Sequence, residues 1–255
     1  EKAQALTAWS GVLQMAAHAS EHSPDIAAAL QRGQAFVSQA TLQIADAVST
    51  ELAPLSAAMD ETELRRSQAF VDVALGRRRT YVNTCDGLYY PFLPADEFFD
   101  RHHFPWMPAI EAATDEIRQE LEALLADPGD ALRPYVRMDS GVPENKWSAL
   151  DQSLAWGACF LWEYGQPNKA VLDRCPRTAA ALASLPTTTL PDRAPSAFFS
   201  ILKPHTRIPP HTGVTNTRAI VHLPLIVPEN CGFRVGGETR EWKVGTAFAF
   251  DDTIE

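Results

Sequence analysis

Ala-Phe-Phe-Ser-Ile-Leu at residues 197–202 is apolar on both faces of an extended chain, which is the pattern of a covered β-strand. A second run of this kind follows at residues 219–227, Ala-Ile-Val-His-Leu-Pro-Leu-Ile-Val. Shorter strands, separated by glycine-containing turns, are predicted at 233–235, 239–242 and 246–250. Several short strands after a helical half predict an α+β fold that closes on a β-sandwich or jelly roll.

The first 80 residues show helical patterning, with apolar residues three, four or seven positions apart. One helix start is predicted at Ser23-Pro24-Asp25 and a second at Asp60–Glu63, which has the spacing of a capping box. Paired helices of a degenerate tetratricopeptide type are compatible with this pattern, although no clean 34-residue repeat is visible. The expected domains are an α-helical region over 1–85 and a second domain over 86–255.

One amphipathic helix is predicted after Pro108, and a proline-rich aromatic stretch at 87–94 precedes it. The apolar stripe of this helix comprises Ile110, Ala113, Ile117, Leu121 and Leu124.

Composition excludes several classes of protein. The 255 residues contain 22 Lys and Arg against 32 Asp and Glu, a net charge of −10, which disfavours nucleic acid as a partner. No run approaches 18 apolar residues, so no membrane span is expected. The four cysteines are too far apart in sequence for a compact zinc module, and reduced thiols in a cytoplasmic protein are expected.

Two histidines are candidates for chemistry. His211 follows Pro209-Pro210, which fix the backbone and would hold the imidazole in place. It is either a surface histidine or a metal ligand, because histidine is the commonest metal ligand but most histidines bind no metal. His222 falls on an apolar face of the 219–227 strand. It is either a core histidine bonded to a backbone carbonyl or a donor to a bound carboxylate.

Other polar residues near these strands have simpler interpretations. Ser200 shares a strand face with apolar residues and either bonds a neighbouring strand or donates to an anionic ligand. Arg218 is by default a solvated charge. Asp251-Asp252-Thr253 has the composition of a turn or helix cap. We expect His102-His103 to lie in a loop, because adjacent side chains diverge and do not easily share a metal.

The C-terminal part resembles the aspartyl/asparaginyl β-hydroxylase family. The resemblance is dense from about residue 145 to 255, and it extends upstream through Trp156, Trp162–Gly165 and Cys175-Pro176. Its specific strings are His211-Thr212-Gly213-Val214-Thr215-Asn216, then Arg218, then His222-Leu223, then Gly245–Asp252. It implies a double-stranded β-helix, or jelly roll, that binds Fe(II) and uses 2-oxoglutarate and O₂ as co-substrates.

The resemblance also implies roles for individual residues at the iron. His211 matches the first iron ligand. The second histidine ligand is expected just after Glu255, so the oxygenase domain over 86–255 would be incomplete at its C-terminus. Gly213 matches the glycine that in this family stands where most such oxygenases have a carboxylate ligand. Water or a small anion is expected in its place.

The co-substrate and substrate residues follow from the same resemblance. Ser200 and His222 match residues that contact 2-oxoglutarate, and Trp156 is expected to line the same pocket. Arg218 matches a substrate-binding arginine. Family members that act on aspartyl residues carry a second arginine two positions later, where this sequence has Ile220.

We therefore expect an Fe(II)/2-oxoglutarate-dependent dioxygenase that hydroxylates a C–H bond. The expected target is the β-carbon of an aspartyl or asparaginyl residue, in a protein, a peptide or a small acidic molecule. Two alternatives stay open: a lipid acyl-chain hydroxylase of the same fold, and a non-catalytic binding protein with a helical peptide-binding arm.

Overall fold

A computed structural model describes residues 1–19 and 21–255. Its helices are α1 (Lys2–Ala16), α2 (Pro24–Ser56), α3 (Glu61–Ala74), α4 (Met107–Ala112), α5 (Thr114–Ala126), α6 (Lys169–Leu172) and α7 (Pro176–Ala183). Its strands are β1 (Phe98–Phe99), β2 (Arg133–Pro134), β3 (Trp156–Glu163), β4 (Gln166–Pro167), β5 (Ala197–Leu202), β6 (Ile220–His222), β7 (Gly232–Val235), β8 (Glu238–Glu241) and β9 (Phe248–Phe250). Two 3₁₀ helices span Arg101–His103 and Gly129–Ala131. Helices and antiparallel strands together confirm the predicted α+β class.

The chain divides into two compact units, Glu1–Thr80 and Tyr81–Glu255. The first unit contains α1, α2 and α3. Gly33 on α2 lies against the ring of Trp9 on α1, where a Cβ atom would come within 2.8 Å of Trp9 Cδ2. The predicted capping box of α3 is confirmed, since Glu63 N donates to Asp60 Oδ1 at 2.9 Å and Asp60 N to Glu63 Oε2 at 3.3 Å. No helix in the described part of the chain is long and apolar enough to cross a membrane.

The amphipathic helix predicted after Pro108 is two helices, because the helix is interrupted at Ala113. The Thr114 hydroxyl donates to the Glu111 carbonyl at 2.6 Å, and Ala113 N donates to the Ile110 carbonyl at 3.2 Å. Bonds to the third preceding residue tighten the chain there and end α4. The predicted stripe is nevertheless correct in its burial, since four of its members are core residues: Ile110, Ile117, Leu121 and Leu124.

Strands β3 and β5 form the central antiparallel pair of the second unit. β2 and β4 also pair with β3, and the β3–β5 register shifts between Phe160 and Trp162. One face of this sheet buries Cys159, Leu161 and Phe199 against α5. The opposite face carries the paired residues Phe160 with Phe198, and Ala158 with Ser200. This opposite face is the floor of the candidate site.

A second antiparallel sheet has the order β1–β9–β6, and β7 pairs with β8 as a hairpin. The aromatic core of the β1–β9–β6 sheet contains Phe98, Phe248 and Phe250. β6 is shorter than the predicted strand over 219–227, because Pro224 cannot donate to a ladder and its carbonyl accepts from Gly245 N at 2.9 Å.

Candidate active site

His211 lies in an extended segment that follows the two prolines, and its tautomer is fixed by a backbone contact. His211 Nδ1 lies 2.8 Å from the Pro209 carbonyl oxygen. A carbonyl can only accept, so Nδ1 carries the proton and Nε2 offers its lone pair. The edge of the Trp147 ring packs on the imidazole, with centroids 5.0 Å apart. Orientation of one ring nitrogen by an outer hydrogen bond is typical of metal-binding histidines.

Gly213 lies two residues beyond His211, where the Asp252 carboxylate fills the space that a side chain would need. A Cβ on residue 213 would lie 2.7 Å from Asp252 Oδ1 and closer still to Oδ2. Gly213 N also donates to the Asp252 backbone carbonyl at 2.5 Å. The resemblance predicted water or a small anion beside this glycine. The structure places the carboxylate of Asp252, a residue distant in sequence, in the space that a side chain on residue 213 would need.

The two carboxylate oxygens of Asp252 have different surroundings. Arg218 Nη2 donates to Oδ2 at 2.5 Å. Oδ1 is buried and has no hydrogen-bond partner among the described residues. A buried carboxylate oxygen without a partner costs free energy, and such an atom points to an ion or polar ligand that belongs beside it. Arg218 is therefore an ion-pair partner rather than the isolated solvated charge expected from sequence.

An aromatic row connects His211 to the floor of the site. Trp147 lies 6.3 Å from Trp156, and Trp156 stacks on Tyr135 at 4.0 Å between ring centroids. Burial raises the pKa of Tyr135 above its ordinary value, and the nearby charge of Arg218 opposes this rise. The row therefore runs from His211 through Trp147 and Trp156 to Tyr135.

Trp156 and Ser200 are brought into direct contact on the β3–β5 sheet. Trp156 Nε1 donates to Ser200 Oγ at 3.0 Å. The indole nitrogen can only donate, so Ser200 accepts this bond and keeps its own O–H for another partner. Ser200 is exposed and Trp156 is buried. Ser200 therefore presents a hydroxyl donor to the space above the sheet.

His222 on β6 lies inside an aromatic box. Its ring centroid is 4.8 Å from Phe250, 5.2 Å from Phe233, 5.6 Å from Phe248 and 6.1 Å from Trp242. Burial lowers the pKa of His222 from 6.5 to about 4, so the ring is neutral at pH 7. His222 can therefore donate one hydrogen bond to an anion without carrying charge.

The described structure brings most of the predicted site residues together, and leaves one apart. His211, Trp156, Ser200 and Arg218 are linked through the aromatic row and Asp252. His222 lies on β6, in the β1–β9–β6 sheet, and Arg218 precedes this strand, which begins at Ile220.

Three members of the site were not found from sequence: Trp147, Tyr135 and Asp252. Sequence placed Asp251-Asp252-Thr253 in a turn, which fits Asp251, because Asp251 Oδ1 accepts from Thr253 N at 2.9 Å and from Thr253 Oγ1 at 2.6 Å. Nothing local separates Asp252 from its neighbour.

The prediction of a loop for His102-His103 was wrong. Arg101–His103 is a 3₁₀ helix, and the two imidazole centroids are 3.9 Å apart. Adjacent residues on such a helix are about 120° apart, less than in a strand, so the rings can approach. Asp100, His102 and His103 form the only group of three histidine, cysteine or acidic residues in the described chain with ligand atoms within 4.8 Å of one another.

The residues around His211 fit an iron ion by their chemistry. An imidazole with a fixed tautomer offers Nε2, and the unpartnered Asp252 Oδ1 offers negative charge close to the Gly213 turn. Imidazole and carboxylate groups are the ligands of non-haem iron sites that activate oxygen. Fold and site together define an α+β protein with the donor groups of a metal-dependent oxygenase.

The chain belongs to the aspartyl/asparaginyl beta-hydroxylase family, whose profile matches residues 111–255. It is 33% identical over 155 residues to the human aspartyl/asparaginyl beta-hydroxylase, covering 59% of this chain and 20% of that protein. It is 41% identical over 166 residues to the human aspartate beta-hydroxylase domain-containing protein 2, covering 65% of this chain and 43% of that protein. It is 31% identical over 171 residues to the ornithine lipid ester-linked acyl 2-hydroxylase of Rhizobium tropici, covering 66% of this chain and 57% of that protein.

The alignments thus span from one fifth to little more than half of these relatives' own lengths. Membership of the family supports a hydroxylase, and hence an oxidoreductase that introduces oxygen.

Proposed function

We propose that this chain belongs to an Fe(II)/2-oxoglutarate-dependent dioxygenase that hydroxylates a C–H bond of an acidic substrate. The observation that carries the proposal is the arrangement at His211 and Asp252. An imidazole presents Nε2 two residues before a glycine whose side-chain space holds an aspartate with one unpartnered buried oxygen. A jelly-roll arrangement of the strands belongs to the same proposal.

His211 would be one of the residues that hold the iron. Bound there, the iron supplies the activation of O₂, so that 2-oxoglutarate becomes succinate and CO₂ while one oxygen atom enters the substrate C–H bond. The protein contributes orientation and electrostatics. The Pro209 carbonyl would orient His211, and Asp252 Oδ1 would accept from a polar group beside Gly213.

The 2-oxoglutarate would use one donor above the β3–β5 sheet and one on β6. Ser200 offers an O–H that its contact with Trp156 leaves available, and His222 offers a neutral N–H from the aromatic box. Because Trp156 is buried beneath Ser200, its indole would fix the position of the hydroxyl. Each hydrogen bond to a carboxylate contributes about 1.5–3 kcal/mol.

Arg218 would contact the acidic group of the substrate. Its side chain is 45% exposed, and one contact with Asp252 uses only part of a guanidinium that has five N–H donors. Ile220, where some relatives have a second arginine, packs against the aromatic core of the β1–β9–β6 sheet and cannot assist. A protein, a peptide or a small acid with a single carboxylate near the target carbon is therefore the proposed substrate.

A second candidate is hydroxylation of a lipid acyl chain, and an exposed apolar segment favours it. Leu88 is 82% exposed and Phe92 is fully exposed. This segment is anchored at Asn216, five residues beyond His211, since Asn216 accepts from Tyr90 N at 2.8 Å and donates to the Tyr90 carbonyl at 2.9 Å. The name of the Rhizobium tropici relative specifies an ester-linked acyl chain.

Anaerobic addition of Fe(II) and 2-oxoglutarate tests the proposal, with the weak visible charge-transfer band as the readout. The band should disappear in His211→Ala but persist in His205→Ala. Succinate release is then measured with an aspartyl peptide and with an ester-linked lipid. The substrate that is hydroxylated gains the mass of one oxygen atom, which mass spectrometry detects. A full-length protein that gives neither band nor succinate would leave the non-catalytic binding protein as the better explanation.

A further inference from the structure

A second group of metal-binding side chains lies at the end of β1. Asp100 follows the strand, and His102 and His103 lie on the 3₁₀ helix Arg101–His103. One ligand atom from each of the three lies within 4.8 Å of the others. The two imidazole rings are 3.9 Å apart between centroids and are tilted by 47°.

The Arg101 side chain anchors this 3₁₀ helix to Glu111 and to the backbone at Ala247. The guanidinium donates to Glu111 Oε1 and Oε2, each at 2.9 Å, and to the Ala247 carbonyl at 2.9 Å. Glu111 in turn accepts from Ala247 N at 2.8 Å. The two-pronged contact fixes the backbone between Asp100 and His102, so the three ligand groups are held near one another before any ion binds.

Burial of the three groups suits an exchangeable ion. Asp100 retains only 9% of its surface, which restricts the carboxylate, whereas both imidazoles are exposed. An ion can therefore reach the site from solvent without disturbing the core. Two imidazoles with one carboxylate favour zinc and its neighbours in the first transition series, while magnesium and calcium prefer sites made of oxygen alone.

The distances allow a four-coordinate ion. Zinc bonds to nitrogen are about 2.0–2.1 Å, which places tetrahedral ligand atoms roughly 3.3 Å apart. Ligand atoms up to 4.8 Å apart therefore close by about 1.5 Å, a movement that rotation of two exposed rings provides. Three protein ligands leave the fourth position to water, as in an open zinc site.

The group is separate from the site at His211. The register of β1 with β9 pairs Phe98 with Phe250 and Phe99 with Ala249, so Asp100 continues toward Phe248. Asp252 follows the other end of β9. β9 spans Phe248–Phe250, roughly 7 Å over two steps of 3.3 Å, and Asp252 lies two residues beyond Phe250. One ion cannot bridge them.

We propose that Asp100, His102 and His103 form a second metal site that binds a divalent zinc-class ion independently of the site at His211.

Cobalt(II), used as a coloured substitute for zinc, tests the site in a His211→Ala background, where the proposed catalytic ligand is gone. Visible absorption follows Co²⁺ binding, and Zn²⁺ is then added to displace it. The matched variants are His102→Ala with His103→Ala, Asp100→Asn alone, and His205→Ala as an exposed histidine outside the group. Thermal unfolding without metal establishes that each variant is folded.

The background protein should bind one Co²⁺ that Zn²⁺ displaces, and the double histidine variant should lose at least about tenfold in affinity, because removal of supporting residues alone costs that much. Asp100→Asn should weaken binding as well, and His205→Ala should leave it unchanged. Equal Co²⁺ affinity in the background protein and in the double histidine variant would overturn the proposal. A loss of the same size in His205→Ala would also overturn it. Neither outcome depends on turnover, so the result is independent of the proposed oxygenase activity.

Discussion

Substitution of Gly213 by alanine tests the geometry of the candidate site directly. The Gly213 φ angle lies outside the left-handed region, so the backbone accepts alanine without strain. The new Cβ would lie 2.7 Å from Asp252 Oδ1, inside the 3.0 Å below which something must shift. The Asp252 carboxylate would have to move away, and its contact with Arg218 at 2.5 Å would be lost.

The cost follows from that contact. The Arg218 side chain is 45% exposed and the Asp252 side chain 17% exposed, so solvent screens part of the charge-assisted bond. We expect a loss of roughly 1–2 kcal/mol in the free energy of unfolding. For a domain of this size, that loss lowers Tm by roughly 2–8 °C.

Thermal and urea unfolding measure the effect, and Gly232→Ala is the matched control. A Cβ on Gly232 would meet only Thr239 Cγ2, at 3.7 Å, an ordinary contact. In an Asp252→Ala background the Gly213→Ala substitution should cost less than about 0.5 kcal/mol, because its obstacle is gone. Equal Tm values for Gly213→Ala and wild type, or equal costs with and without the Asp252 side chain, would refute the placement of Asp252 against Gly213.

Three other predictions concern the second unit. Burial lowers the pKa of His222 to about 4, so its neutral form stabilises the fold fully above pH 6.5, and this stability is lost as pH falls from 6.5 to about 4. The loss is about 3 kcal/mol at most; urea unfolding at pH 7.5 and 4.5 should show it in wild type and not in His222→Asn. Ser200→Ala should raise the 2-oxoglutarate concentration for half-maximal succinate release by roughly tenfold or more, and Ser184→Ala should not change it. Asn216→Ala should release the segment at Tyr90, which it holds by two bonds, and speed proteolysis there; an unchanged cleavage rate would show that these bonds do not hold it.

Local signals were sufficient where the deciding contacts are close in sequence. The capping box at Asp60 and Glu63 depends on four residues, and the structure has it. The strand at Ala197–Leu202 was predicted with its observed bounds, because its apolar run is long enough to distinguish it from a turn. The interruption at Ala113 was missed, because it depends on the Thr114 hydroxyl donating to the Glu111 carbonyl rather than to solvent.

Sequence could not identify the contacts between distant residues. The carboxylate beside Gly213 comes from Asp252, 39 positions later, and no periodicity connects them. The resemblance indicated that residue 213 needs no side chain, but not what occupies the space. Tyr135 was missed for the same reason, because its stacking on Trp156 depends on the pairing of β2 with β3.

Asp252 shows how stability and function are balanced in this site. Its Oδ2 pairs with Arg218, while burial of Oδ1 without a protein partner opposes that gain. Asparagine at this position would lower the electrostatic cost of burial but would also remove the charge that attracts a cation. A buried carboxylate with one oxygen available is therefore unfavourable for the isolated fold and favourable for a site that must attract positive charge. The contact with Gly213 makes this possible, because only a residue without a Cβ lets the carboxylate lie so close to the segment that carries His211.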